Sequence, residues 1–312
     1  MREIRVEASG LFTTIQDLGR PGFGTLGVSA SGAADPIALR LGNRLVGNRE
    51  NAAALEMTLL GGTFLFSDET IVAITGSDFA PVLDGVPVSL WSPFRVTSRQ
   101  RLQIGSTRTG ARCYLCVQGG VVVKPFLGSA STHILSGLGG LEGRALRKGD
   151  ILSIGPQQLK FSRKKLASHV IAQLAFRKKL RVTGGPQWEW FMVPSQEAFF
   201  RDVYRVTEEA NRMGLRLEGV AITARSAEPM ITEGVSLGAV QVPPGGQPII
   251  LFVEQQTTGG YPKIANIISA DIASVGQLRP RDEIRFERVT MAEARRLLME
   301  QEGLLASEML EA

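Results

Sequence analysis

The stretch from Glu254 to Asp271, EQQTTGGYPKIANIISAD, concentrates groups that can hold a small polar molecule. Thr257 and Thr258 bring hydroxyls able to orient a substrate. Gly259 and Gly260 let the backbone approach a ligand closely. Tyr261 and Pro262 then stiffen the chain just ahead of Lys263, because proline fixes its own φ and restricts its predecessor. Lys263 carries a point charge suited to a carboxylate or a phosphate. The apolar run before this stretch, Pro248 to Val253, reads as a buried strand, and the polar residues read as a loop at its end. A turn bearing a solvated lysine would have the same composition, so the motif alone leaves both uses open.

A second chemical stretch spans residues 10–35, GLFTTIQDLGRPGFGTLGVSASGAAD, and reads as a long glycine- and serine-rich loop. It holds Gln16, Asp17, Arg20, Ser31 and Asp35. Asp35 followed by Pro36 has the form of a helix N-cap and first position, and the helix should run through Leu39, Leu41 and Leu45 to Gly47. Backbone N–H groups at such an end attract anions. Equally, the loop could be structural and Asp35 only a cap. His133, in GSASTHILSGLGG, is either a ligand contact or an exposed loop residue. Arg212 in NRMG adds a cation, and Glu233 a carboxylate for a metal or a proton.

Two familiar catalytic signatures are missing: neither G-x-x-x-x-G-K-[ST] nor H-E-x-x-H occurs. Cys113 and Cys116 have zinc-like spacing, but strand alternation sends them to opposite faces, so they read as core thiols. With only His133 and His169 present, a histidine-based metal site or triad is not expected, and no metal ligand set is assigned.

The elements that must position these residues are mostly strands. Thirty-five glycines fall largely between apolar runs, the pattern of short strands joined by tight turns. In the second half, strands are expected at 204–207, 213–217, 220–224, 238–242, 248–253 and 282–287, a helix capped by Ser195, and a last helix after the capping box Thr290-Met-Ala-Glu293. The halves resemble each other. GARCYLCVQGG (110–120) aligns with GQPIILFVEQQTTGG (246–260), and LRKGDIL (146–152) with LRPRDEI (278–284). A length of 312 residues suits two domains, expected at 1–160 and 176–312 with the basic segment 156–179 between them. The expected fold is mainly β: two β-barrel-like domains with a few short helices, whose intervening cleft is a common place for a site.

A net charge of +5 is mild, and the runs Arg163-Lys164-Lys165 and Arg177-Lys178-Lys179 read as solvated surface, so no nucleic-acid partner is expected. No apolar stretch approaches the ~18 residues of a membrane helix, and MREIRVEASG is strand-like from its start. No membrane association and a cytoplasmic location are the expectation.

Longer motifs carry a family resemblance. TIQDLGRPGFGTLGVSASGAADPIALRLGNRLVGN, LEMTLLGG, ITGSDF, LGSASTH, NRMGLRLEG and EQQTTGGYPKIANIISAD together resemble the allophanate hydrolase subunit 2 family, also called the KipA family or the family of the 5-oxoprolinase C subunit. The likeness runs from about residue 4 to 288. It implies two cyclophilin-like β-barrels. It also implies one part of a 5-oxoprolinase that opens 5-oxoproline to glutamate with ATP, with or without Mg. The implied partners are a KipI-like protein (allophanate hydrolase subunit 1) and a third 5-oxoprolinase subunit. The nucleotide would bind either this chain or the complex.

Two alternatives come with the resemblance. One is a carboxyltransferase acting on urea or a related amide. The chain is read as beginning and ending with this domain, and it contains no Met-Lys-Met biotin site, so biotin would come in trans. The other is a regulatory protein that antagonises a kinase inhibitor. On the favoured reading, activation of the lactam oxygen by phosphorylation builds negative charge that positioning and electrostatics must stabilise. Lys263, Asp35 and Glu233 are then the catalytic candidates. Gln16, Asp17, Arg20, Ser31, His133, Arg212, Thr257, Thr258, Gly259, Gly260 and Tyr261 are the substrate-binding candidates.

Overall fold

The computed structural model describes residues 2–157, 165–225 and 230–306 and the backbone of 310–311; Arg163 and Lys164 of the basic run lie outside the described residues. The chain is mainly β and divides into two compact units: 1–20 with 31–174 and 307–312, and 21–30 with 175–306.

In the first unit, two antiparallel sheets face each other around one core. A seven-stranded sheet runs in the order Val121–Val122, Ile151–Ile154, Glu3–Ala8, Thr63–Phe66, Arg101–Gln103, Val82–Leu83, Val86–Pro87. A five-stranded sheet runs in the order Phe12–Gln16, Ala54–Thr58, Arg112–Val117, Thr70–Gly76, Pro93–Val96. Alternation fills the space between them with Ile4, Val6, Phe64 and Phe66 from one sheet and Ile15, Leu55, Leu115 and Val117 from the other. The outer face of the five-stranded sheet is also apolar, with Ala73, Tyr114 and Cys116, because helix α1 (Pro36–Leu45) lies on it through Ala38, Leu39 and Leu45. Cys113 and Cys116 are both buried and belong to the two different faces. A Cβ at Gly42 would stand 2.6 Å from Cys116 Sγ, so the helix can come this close only with glycine there. A short helix, α2 (Ser168–Gln173), follows later in this unit and buries Val170.

The second unit contains a closed barrel in the order Lys179–Gly184, Lys263–Ile267, Ala239–Gln241, Ile249–Leu251, Gly214–Glu218, Tyr204–Val206, Glu283–Arg288. All pairings are antiparallel except the closing one, Lys179–Gly184 with Glu283–Arg288. In EIRFER, Ile284 and Phe286 point in and the charged residues out. Helix α3 (Val193–Arg201) packs on this strand, with Phe199 stacked on Phe286 at a centroid distance of 4.3 Å. Apart from the barrel stands a two-stranded ribbon, Glu233–Gly234 with Thr258–Gly259.

The repeated Leu-Arg-x-x-Asp has one physical meaning in both units. Arg147 N donates to Asp150 Oδ2 at 2.7 Å, and Arg279 N to Asp282 Oδ2 at 2.8 Å. Each aspartate closes the turn that launches a strand.

Several local expectations are corrected. Residues 10–35 are not one loop, since Phe12–Gln16 is a full strand paired to Ala54–Thr58. Residues 220–224 form no strand, only a bridge between Ala224 and Phe191. Ser195 lies inside α3, where Met192 is the capping position and the serine hydroxyl accepts from Thr223 N at 3.0 Å. Lys263–Ile267, read as loop, is a barrel strand followed by α4 (Ile272–Gly276). Lys, Ala and Asn are weak strand formers, and the strand exists because two barrel neighbours pair with it. At the chain's end, Thr290 Oγ1 does accept from Glu293 N at 3.1 Å, starting α5 (Met291–Ala306).

Candidate functional site

Lys263 opens a strand of the barrel, and its side chain is 4% exposed. The register slips by one residue between the pairs Val240↔Ala265 and Gln241↔Lys263. Such irregularities re-aim side chains and are common beside active sites. Gln241 and Lys263 stand opposite each other across the ladder, so their side chains leave the sheet together.

The Lys263 ammonium forms an ion pair with the Glu233 carboxylate, which is 44% exposed. Gln187 braces the pair. Its Nε2 donates to Glu233 Oε1 at 2.9 Å, and its Oε1 accepts from Lys263 N at 3.1 Å. Lys263 and then Gln187 hold the Glu233 carboxyl below the usual carboxylate range. Near neutral pH it is therefore an anion and a poor proton carrier.

Among the described residues, neither Lys263 Nζ nor Gln241 Nε2 has a hydrogen-bond acceptor in addition to that ion pair, and both are buried. Buried donors are nearly always satisfied, so an oxygen-bearing group placed here would meet two donors that the described residues leave open. Gly259 sits directly over it, since a Cβ there would lie 2.5 Å from Gln241 Nε2.

Arg212 has a different setting. It pairs with Glu254, and the two are 5% and 2% exposed. Glu254 N also donates to Arg212 O at 2.8 Å. The pair anchors the start of the segment that ends at Lys263. Between them, Thr257 O accepts from Val235 N at 3.1 Å, Thr258 pairs with Gly234 on the ribbon and is exposed, and Tyr261 is 44% exposed. Gly260 lies near Thr232, whose Oγ1 would be 3.4 Å from a Cβ there.

The candidates of the first unit form a separate, closely bonded set. Asp17 accepts from Gly19 N at 2.7 Å, Ser129 Oγ at 2.6 Å, Ala130 N at 2.7 Å and Ser131 Oγ at 2.5 Å. A carboxylate with four donors is committed to holding the 126–133 segment. Arg20 is buried, donates to Ser131 O and lies over the Phe126 ring at 5.6 Å. Gln16 Nε2 donates to Thr132 O at 3.1 Å, and Ser31 Oγ donates to the same oxygen at 2.9 Å. Ser31 has φ +53°, a left-handed conformation that this bond helps hold. His133 is buried rather than exposed, and its Nδ1 accepts from Ser136 N at 3.2 Å.

Asp35 caps α1, its Oδ1 accepting from Ala38 N at 2.9 Å. Glu56 Oε2 accepts from Ala34 N at 2.8 Å and from the Tyr114 hydroxyl at 2.7 Å. Burial, then Glu56, push the Tyr114 phenol well above its ordinary range, so it stays protonated and donates. The start of α1 is thus already occupied by carboxylates of the chain itself.

The sequence reading passed over Gln187 and Gln241, which complete the Lys263 site. Gln241 had a signal: it is the polar residue in the apolar strand AVQ. Gln187, in GGPQW, had none. Chemically, one buried ammonium and one buried amide N–H₂ can hold a carboxylate or other anionic oxygen.

The fold agrees with comparisons to known proteins. The model of the carboxyltransferase domain, subdomain A and B, matches residues 26–288, and the chain belongs to that family. It is 39% identical to the 5-oxoprolinase C subunit of Escherichia coli over 96% of this chain and 95% of that one. It is also 39% identical to the Haemophilus influenzae protein of the same name, over 91% and 90%. Among solved structures, the urea amidolyase of K. lactis superposes with a TM-score of 0.92 at 31% identity. That match covers 97% of this chain but only 20% of the much longer amidolyase.

Proposed function

We propose that this chain is the C subunit of an ATP-dependent 5-oxoprolinase, which opens 5-oxoproline to glutamate together with a KipI-like partner and a third subunit. The observation that carries this reading is the 39% identity to the 5-oxoprolinase C subunit of Escherichia coli along 95% of that protein's length. The chemistry of the Lys263 site supports it, because the substrate is a small carboxylic acid and the site offers buried cationic and amide donors.

In this proposal Lys263 Nζ balances the substrate's carboxylate and Gln241 Nε2 adds a directional hydrogen bond. Gln187 keeps the start of the Lys263 strand in place, and the missing side chain at Gly259 avoids a clash with Gln241 Nε2. Exposed Thr258 supplies an orienting hydroxyl at the rim. ATP, as co-substrate, would supply the phosphoryl group that activates the lactam oxygen; one water would then add as the ring C–N bond breaks and a second would release phosphate, leaving glutamate, ADP and phosphate. The donors at Lys263 suit an anionic oxygen. Among the described residues no group of three or more His, Cys, Asp or Glu could hold a metal ion, so no Mg ligand is assigned here. No described helix is long and apolar enough to cross a membrane.

The test is to purify the chain alone and with its KipI-like partner and third subunit, and to measure ATP-dependent glutamate release from 5-oxoproline. Turnover only by the assembly is the expected result. Full activity of the isolated chain would remove the partner requirement, and none from any combination would overturn the reading. A second reading, carboxyl transfer to urea or a related amide with biotin supplied in trans, is favoured by the likeness to K. lactis urea amidolyase. Carboxylation of urea on addition of carboxybiotin would establish it. Binding of a kinase inhibitor without any turnover would establish the regulatory role instead.

A further inference from the structure

The second unit treats its buried cations in two ways. Arg212 is matched by Glu254, and Arg181 by Asp271, and in both cases the anion is the more buried partner, at 2% and 0% exposed. This is the expected arrangement, since a buried charge needs a fixed counter-charge. At Lys263 the order is reversed. The ammonium is buried, while its counter-charge Glu233 is half in solvent on a ribbon only two residues wide on each strand. Beside it, Gln241 Nε2 is buried with no acceptor among the described residues.

The geometry points to Glu233 as a built-in stand-in for the carboxylate of the substrate: a carboxylate-bearing ligand displaces Glu233 from Lys263 and takes the open donor of Gln241 as well. The inference rests on the proposed role of Lys263 as the residue that holds the substrate's anion. Three observations converge on it. The site is filled by a carboxylate already, so it accepts that group sterically. The occupant is exposed and can rehydrate once displaced, at little desolvation cost. The occupant leaves Gln241 Nε2 unused, so an external carboxylate gains a hydrogen bond that Glu233 does not make. No bond is made or broken in the exchange. One anion replaces another at Lys263; Glu233 stays on the chain, so the site gains one negative charge, which water around the exposed carboxylate screens.

The test is a calorimetric titration of the full chain with propionate, with 5-oxoproline and with 2-pyrrolidone, which lacks the carboxylate, at fixed ionic strength. E233Q removes the competing charge and should tighten propionate and 5-oxoproline about fivefold, the worth of a half-exposed ion pair, without changing 2-pyrrolidone. Glu233→Asp, one methylene shorter, lengthens and weakens the contact with Lys263, should act in the same direction and serves if E233Q does not fold. K263M should abolish carboxylate binding. Weaker or unchanged propionate binding in both Glu233 variants overturns the inference, as does absence of propionate binding from the wild type and E233Q alike. If propionate behaves as stated and 5-oxoproline does not bind, the stand-in role holds and the assigned substrate fails.

Discussion

Two ion pairs bracket the segment from Glu254 to Lys263, and they are built on opposite principles. At its start, Arg212 and Glu254 are both sealed from solvent and also joined backbone to backbone. At its end, Lys263 is sealed but Glu233 is open, and a neighbouring donor is unused. A sealed pair with matched partners holds the chain in register, and breaking it strands a charge. An open pair holds little. It leaves a cation whose partner can be exchanged. The contrast separates anchoring from binding among the charged residues that the sequence presents side by side.

The contrast is exposed to direct tests. Glu254→Ala should destabilise the protein by about 3–5 kcal/mol, the usual cost of leaving half of a buried pair. Thermal unfolding should show a fall on the order of 10 °C. A change within experimental scatter would remove the distinction between the pairs. Lys263→Met should do the reverse. At subsaturating 5-oxoproline, turnover in the assembled enzyme should drop roughly a hundredfold, mainly through KM, the effect of removing the charged partner of the substrate's carboxylate. Its melting temperature should stay nearly constant, because the Glu233 left behind is already half in water. Near-normal turnover would return Lys263 to a structural part.

Gly259→Ala probes the same site more gently. The new Cβ presses on the end of the Gln241 side chain rather than on backbone, so the fold should survive while KM for 5-oxoproline rises several-fold, on the order of one lost hydrogen bond. Asp35→Ala examines the first unit. Loss of an N-cap should cost about 1 kcal/mol of stability, with turnover per folded enzyme unchanged. A hundredfold fall in turnover would instead make Asp35 catalytic. The smallest effect is the acid response of Glu233. Its carboxyl is held below the usual range, first by Lys263, so the pair's contribution is full above that range and is lost as pH falls through the depressed pKa. Stability curves of wild type and E233Q should therefore converge in acid.

Local chemistry was readable in the residues themselves. Asp35-Pro36 marks the start of α1, EIRFER alternates as a barrel strand, and Leu-Arg-x-x-Asp builds the same turn in both units. Each depends on groups within about four positions of one another, so the pattern carries the geometry. Glycine spacing and the internal repeat extended that reading to a mainly β fold, and the family motifs agreed with it. The loop of residues 10–35 was less legible. Its strand Phe12–Gln16 is polar and short, and it becomes a strand by pairing with Ala54–Thr58.

The site divides along the same line. Composition and order placed Lys263 behind Gly259, Gly260 and Pro262, and so marked it as a cation with a defined direction. Its partners were out of reach of any such pattern. Gln187 lies 76 positions away and Gln241 faces it only because the register slips at that pair. Glu233 meets it from a separate ribbon. Which cation is sealed with its anion and which is left with an exchangeable one depends on how much water the closed barrel excludes around each charge, and exclusion of water is a property of packed surfaces rather than of residue order.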